Sequence, residues 1–94
     1  MDLRIQQEET EDSGRFYISQ DGLQVAEMRY YYNDEKKMVI DHTEVSDQLQ
    51  GHGIGKQLFD VAVSFARKNH RKIIPVCSFV QTMLLRSDKY KDLL

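Results

Sequence analysis

Gln50-Gly51-His52-Gly53-Ile54-Gly55-Lys56 is the stretch whose reading decides the fold. Glycine stands at alternate positions in it, and the sequence changes its period there. Downstream, Ile54, Leu58, Val61, Ala62, Phe65 and Ala66 recur at helical spacing, while Lys56, Gln57, Asp60, Ser64, Arg67 and Lys68 take the opposite face. Arg67 and Lys68 complement the negative end of that helix, and Asn69 is its expected C-terminal cap. A glycine-rich turn that opens a helix lets a ligand approach the backbone closely. It also presents unpaired N–H groups at the positive end of the helix dipole. The stretch therefore suits an anion such as a phosphate, although it also suits an ordinary turn into a helix.

Working outward, the first half of the chain reads as strands. Leu3–Glu8 alternates weakly, as an edge strand does. Arg15-Phe16-Tyr17-Ile18 is rich in aromatic and β-branched residues. Asp21-Gly22 marks a hairpin, because a tight primed turn needs positive φ. Leu23–Tyr32 and Met38–Val45 are the next strands, separated by the polar turn Asn33-Asp34-Glu35-Lys36. An antiparallel meander over residues 3–45 is expected, with Tyr30-Tyr31-Tyr32 divided between core and surface by alternation. Beyond the helix, Lys72–Cys77 reads as a short buried strand in which Pro75 marks an edge or irregular position. Met38–Cys77 is thus a candidate βαβ unit. Phe79–Leu85 reads as a second helix with Met83, Leu84 and Leu85 as core contacts, and Tyr90–Leu94 as a tail that packs back. The expected class is α/β (α+β): a mostly antiparallel mixed sheet, a central βαβ unit and a short C-terminal helix, in one domain over residues 1–94.

Composition narrows the setting. The 94 residues are 40% hydrophobic and 30% charged, the profile of an ordinary globular chain. Thirteen Lys and Arg stand against 15 Asp and Glu, a net charge of −2, which counts against general nucleic-acid binding. The single cysteine, Cys77, cannot form an internal disulfide. The N-terminal residues have no signal-peptide core, and no apolar run approaches the ~20 residues needed to span a bilayer. A cytoplasmic protein without membrane association, monomeric or weakly dimeric, is the expectation.

The common phosphate motifs fit the loop poorly. A Walker loop needs four residues between its first glycine and Gly-Lys, then Ser or Thr; here Gly51 and Gly55 are too close and Gln57 follows Lys56. The dinucleotide fingerprint needs G-x-G-x-x-G, and the chain has G-x-G-x-G. An RNA-binding GXXG loop joins two helices, whereas the residues before Gly51 read as strand and turn. Gln50-x-x-Gly53-x-Gly55 between a strand and a long helix instead resembles the acetyl-CoA pyrophosphate loop of the GCN5-related N-acetyltransferases, whose pattern is Q/R-x-x-G-x-G/A. The resemblance implies that backbone amides from Gln50, Gly51, His52, Gly53, Ile54, Gly55 and Lys56 hold the pyrophosphate. It implies that Thr43, Glu44 and Val45 pair with the pantetheine arm, and that Ile74–Cys77 forms the other arm of a V-shaped slot for the thioester.

The segments Asp41–Val45, Ile74–Phe79 and Tyr90–Leu93 extend the likeness to the minimal, single-domain branch of the superfamily. There a His on the fourth strand and a Cys ending the fifth form the functional pair, places taken here by His42 and Cys77. The implied activity is acetyl transfer from acetyl-CoA to an amine acceptor, with a non-catalytic acyl-CoA-binding or sensing module as the alternative. His42 would serve as a general base; Cys77 would act as an acid toward the leaving thiolate or accept the acetyl group itself. His52, inside the loop, suits phosphate or solvent contact, and Lys89 and Lys91 are candidates for the CoA 3′-phosphate or simply a solvated tail. His42, His52, His70 and Cys77 lack tight ligand spacing, so no metal site is expected. Larger members place two helices between the first two strands and close with a C-terminal hairpin. This chain has only polar residues between Glu8 and Gly14 and ends at Leu94, so the resemblance covers the donor half more fully than the acceptor half.

Overall fold

The computed structural model describes residues 3–94 and orders the elements as a five-stranded sheet followed, from its fourth strand on, by helices. Strands β1 (Gln6–Glu9), β2 (Ser13–Gln20), β3 (Leu23–Tyr32) and β4 (Met38–Val45) form an antiparallel meander in sequence order. Helix α1 (Ile54–Lys68) then crosses over to β5 (Ile73–Pro75), which pairs parallel with β4. Helix α2 (Ser78–Leu85) and a terminal 3₁₀ helix (Asp88–Leu93) complete the chain. The expected meander, βαβ unit and second helix are all present. Three polar residues, Thr10, Glu11 and Asp12, join β1 to β2 with no helix between them.

Local chemistry fixes the connections. Asp21 and Gly22 both have positive φ, 53° and 80°, as the hairpin reading requires. In the next turn the Asn33 carboxamide accepts from the Glu35 and Lys37 amides at 3.0 and 2.9 Å, an Asx arrangement that sets up β4. Helix α1 ends at Asn69, whose side chain donates to the Phe65 carbonyl at 2.8 Å. The residue in the left-handed conformation is His70, φ 56°. The Arg71 amide reaches back to the Ala66 carbonyl and the His70 amide to that of Arg67, completing a Schellman motif without a glycine.

One face of the sheet carries the core. Phe16, Ile18, Ala26, Met28, Tyr30, Met38 and Ile40 are buried there against Leu58, Phe59, Ala62 and Ala66 of α1. Phe65 of α1 meets the rings of Phe16 and Tyr30 at centroid distances of 5.6 and 6.1 Å, which fixes the side of the sheet that the helix covers. Tyr90 and Leu93 of the terminal 3₁₀ helix are buried, Tyr90 edge-on to Phe59 at 5.2 Å. Arg67 ties this segment down through Asp92, whose carboxyl is held below its usual range by that hydrogen bond. Lys89 lies over the Tyr90 ring and Lys91 pairs with Asp88. The tail therefore packs back as expected.

Two expectations change. The fifth strand is shorter than Lys72–Cys77: it stops at Pro75, because the Cys77 amide turns back to the Ile40 carbonyl that Val76 already bonds, and Cys77 becomes the N-cap residue of α2. In α2, Leu84 is buried and Met83 half-buried, but Leu85 is exposed, because the short helix turns only one stripe toward the core.

The edge strand β1 exposes every side chain, yet it is anchored. The Glu9 carboxylate accepts from the hydroxyls of both Tyr30 and Tyr32 at 2.6 Å, and Gln7 donates to Tyr30 at 2.8 Å. Burial, then the Glu9 hydrogen bond, pushes the Tyr30 hydroxyl far above its usual range and Tyr32 up to about 12. Because the raised folded-state value favours the protonated phenol, this stabilisation is present below pH 10 and lost as pH climbs toward 12. Glu9→Gln removes the charge that both phenols face. A phenolate absorbance titration of that variant should show Tyr32 ionising at lower pH, and thermal unfolding should show a loss of about 1–2 kcal/mol at neutral pH. An unchanged titration would exclude the Glu9 anchor.

Packing of α1 against α2 is tighter. A Cβ at Gly55 would meet the Phe79 ring at 3.0 Å, while Gly51 and Gly53 have nothing within 4 Å. Gly55→Ala should therefore cost about 1–3 kcal/mol by overpacking, read as a lowered melting temperature. Phe79→Leu in the same background should recover part of the loss. No recovery would mean that the ring is not the obstacle.

Candidate acetyl-CoA site

The site begins where β4 and β5 part. Their parallel register runs only over Met38↔Ile73, Val39↔Ile74 and Ile40↔Pro75. The amides of Val76 and Cys77 then both donate to the Ile40 carbonyl at 3.0 Å, and the chain turns off into α2. Among the described residues, none pairs with Asp41–Val45 of β4 on that edge. Alternate backbone groups of an antiparallel strand point to each side, so this segment offers main-chain donors and acceptors to an extended ligand.

Next to the open edge lies a cleft of about 380 Å³ lined by Thr43, Val45, Leu49, the loop residues Gln50, Gly51 and Gly53, the first turn of α1 and Phe79 of α2. Gly53 is the N-cap of α1 with φ 72° and makes no side-chain cap; Gly51 has φ 85°. A side chain at either would be strained, but both have open space where a Cβ would stand. The first helical bond runs from the Gln57 amide to the Gly53 carbonyl, so the amides of Ile54, Gly55 and Lys56 precede any helical acceptor. No acidic residue occupies this first turn. These features fit a pyrophosphate: donors, a positive dipole end and free space.

The loop side chains have separate duties. Gln50 points back toward the end of β4, its carboxamide 3.4 Å from the Val45 carbonyl and 3.3 Å from Asp47, so it braces the loop. His52 is exposed and its amide bonds to the Leu49 carbonyl. Lys56 lines the cleft and pairs with Asp60 at 2.9 Å. Gly55 faces the Phe79 ring and permits the approach of α2.

His42 and Cys77 fall on opposite faces of the sheet. The β3–β4 register shifts between Arg29 and Tyr30: Arg29 pairs with His42 and Tyr30 with Ile40, leaving Asp41 as the extra residue of a bulge. From Asp41 onward the alternation is inverted. Thr43 and Val45 turn to the helix side, where the Cys77 thiol donates to the Thr43 hydroxyl at 3.3 Å. His42 and Glu44 turn to the other face, which no helix covers. There the His42 Nε2 lies 3.4 Å from Glu44 and 3.9 Å from Glu27.

Two contributors had not been singled out in the sequence. The Thr43 hydroxyl, expected only as backbone, is the direct partner of Cys77. Glu27 is the single buried charged residue among the described residues, 8% exposed, and it lies on the uncovered face beside His42. A charge at the centre of an otherwise mixed strand gives no signal until register shows what faces it.

Comparison with known proteins matches this geometry. The profile of the GCN5-related N-acetyl-transferase family matches residues 15–93. A GCN5-like protein of Staphylococcus aureus, assigned to the N-acetyltransferases, is 41% identical, with a TM-score of 0.74, over 97% of this chain and 86% of that one. A ribosomal-protein-alanine N-acetyltransferase of Brucella melitensis shares the fold at 20% identity and TM-score 0.62, over 82% of this chain and 62% of its own. An IAA acetyltransferase of Bacillus cereus is 25% identical with TM-score 0.61, over 80% of this chain and 53% of that one. Comparison with curated protein sequences gave no match. With a family profile spanning most of its length and a glycine-capped helix beside an opened β4–β5 edge, the chain belongs to the GCN5-related N-acetyltransferase family.

Proposed function

We propose that the chain transfers an acetyl group from acetyl-CoA to an amine, with Cys77 and His42 acting from the two sides of the opening between β4 and β5. The observation that carries this reading is the parting of those strands beside the Gly53-capped end of α1, with the Cys77 thiol bonded to Thr43 at 3.3 Å on the same face. Pyrophosphate would sit on the amides of Gly51 and of residues 53–56, with Gln50 bracing the loop and the His52 amide held by the Leu49 carbonyl. The pantetheine arm would run along Thr43, Glu44 and Val45, which brings the thioester to the parting point.

From there the chemistry follows from the residues present. The amine nitrogen attacks the thioester carbonyl carbon, and collapse of the adduct breaks the C–S bond. His42, on the uncovered face, takes the proton that the amine loses. The Cys77 thiol, on the cofactor face, gives its proton to the departing CoA thiolate. In the alternative route the Cys77 sulfur itself takes the acetyl group as a thioester while its proton passes to the departing CoA thiolate; the amine then attacks that thioester, His42 takes the amine's proton and the Cys77 thiolate departs. With no helix between β1 and β2, the His42 face is open to an acceptor as bulky as a protein.

Two variants test this. Gly53→Glu places a carboxylate where the phosphates would lie. It should weaken CoA at least about 100-fold by calorimetry, while the left-handed backbone strain costs only about 1–2 kcal/mol of stability. Undiminished affinity would rule out the loop. Cys77→Ala should slow CoA release in the presence of a lysine peptide by about 100-fold or more, with acetyl-CoA affinity nearly unchanged. Intact-mass measurement after exposure to acetyl-CoA separates the routes: an acetyl adduct absent from Cys77→Ala marks the covalent one. Tight CoA binding by the native chain with no turnover on any amine would instead identify an acyl-CoA-binding module.

A further inference from the structure

The uncovered face of the sheet holds a chain of charges that ends at His42. Arg15 on β2 is fixed from three sides: it bonds to Glu8 on β1 and to Gln24 on β3, and its guanidinium lies 3.9 Å over the Tyr17 ring. So fixed, its Nη1 donates to Glu27 Oε2 at 3.2 Å. The other oxygen of that buried carboxylate, Oε1, faces Arg29 Nε at 3.7 Å and His42 Nε2 at 3.9 Å. Glu44, on the far side of the imidazole at 3.4 Å, is 69% exposed and therefore screened by solvent, whereas the Glu27 side chain is only 11% exposed. A buried charge is costly to keep unless something faces it, and only one of the two Glu27 oxygens is occupied by Arg15.

We infer that Glu27 is a positioning residue for His42: anchored by Arg15, it orients the imidazole and stabilises the imidazolium formed when His42 takes the acceptor's proton. The inference rests on the proposed acetyl transfer. The groups facing the ring are Glu27 and Arg29 from β3 and Glu44 from β4, with Arg15 and Glu8 acting through Glu27. Of the carboxylates, only Glu27 is held both out of water and in one place. Its effect on the reaction is therefore electrostatic and geometric, delivered through His42, and requires no contact with acetyl-CoA.

The test compares Glu27→Gln, Glu27→Asp and Glu44→Gln in the full chain, with thermal unfolding as a check on the fold. Ring ¹⁵N shifts of His42 at fixed pH report the balance of imidazolium and imidazole without any substrate. In Glu27→Gln the ring shifts should change, more than in Glu44→Gln, and Glu27→Asp should restore part of the native pattern. With acetyl-CoA and a lysine peptide as probe, Glu27→Gln should lower kcat at least about tenfold. The KM for acetyl-CoA should stay within about twofold, and the pH profile of kcat/KM should differ from the native one. Ring shifts identical to the native protein's would overturn the inference. So would shifted rings with kcat and the pH profile unmoved, since Glu27 would then be a structural ion-pair partner only. A native chain that shows the ring response but transfers no acetyl group contradicts the acetyl-transfer reading itself, and the two failures are told apart.

Discussion

One carbonyl oxygen, that of Ile40, accepts the amides of both Val76 and Cys77 at 3.0 Å, and the architecture of the site depends on that shared acceptor. In a continuing parallel ladder Val76 would keep Ile40, while the next amide, that of Cys77, would point away from β4. The second bond at Ile40 turns the Cys77 amide inward, satisfies it and releases the chain from the sheet. The result is an edge inside a sheet: Asp41–Val45 is fixed on its β3 side and open on the other. Helix α2 starts at the release point, which places its Cys77 N-cap next to Thr43. Gly55 lets α1 and α2 approach around Phe79, closing the floor of the cleft.

A second constraint, the bulge at Asp41, decides which chemistry each face receives. Strict alternation from Ile40 would turn His42 toward the helices and Thr43 away from them. The extra residue reverses both. Thr43 thereby reaches the Cys77 thiol, and His42 joins the carboxylates of Glu27 and Glu44 on the uncovered face. The two catalytic candidates are thus separated by the thickness of the sheet and connected through the opening beside β4.

Much of this was readable from residue order. The change of period at Ile54, the Asp21-Gly22 hairpin and the Gln50–Lys56 loop each follow from local rules of turn, cap and periodicity, and each stands where those rules put it. The family resemblance named His42 and Cys77 together without placing them relative to each other, and a one-residue bulge, which leaves no mark in composition, puts them on opposite faces. The length of β5 was overread because Val76 and Cys77 look like strand residues, while the return of the Cys77 amide to Ile40 leaves no mark in residue order. The exposure of Leu85 and the burial of Glu27 depend on which stripe of α2 and which neighbours of β3 are covered, and both are tertiary facts. His70 in the left-handed C′ position is the same kind of exception, since the Schellman bonds of Arg71 and His70 hold it where glycine is the usual choice.

The central claim is that acetyl-CoA occupies the β4–β5 opening and the α1 N-terminus, and amide chemical-shift mapping during a CoA titration tests it most directly. The account predicts that the largest saturable shifts fall on residues 43–45, 51–56 and 76–79, with β1 and the β1–β2 turn unmoved. Shifts confined to other surfaces, or none at millimolar CoA, would contradict it.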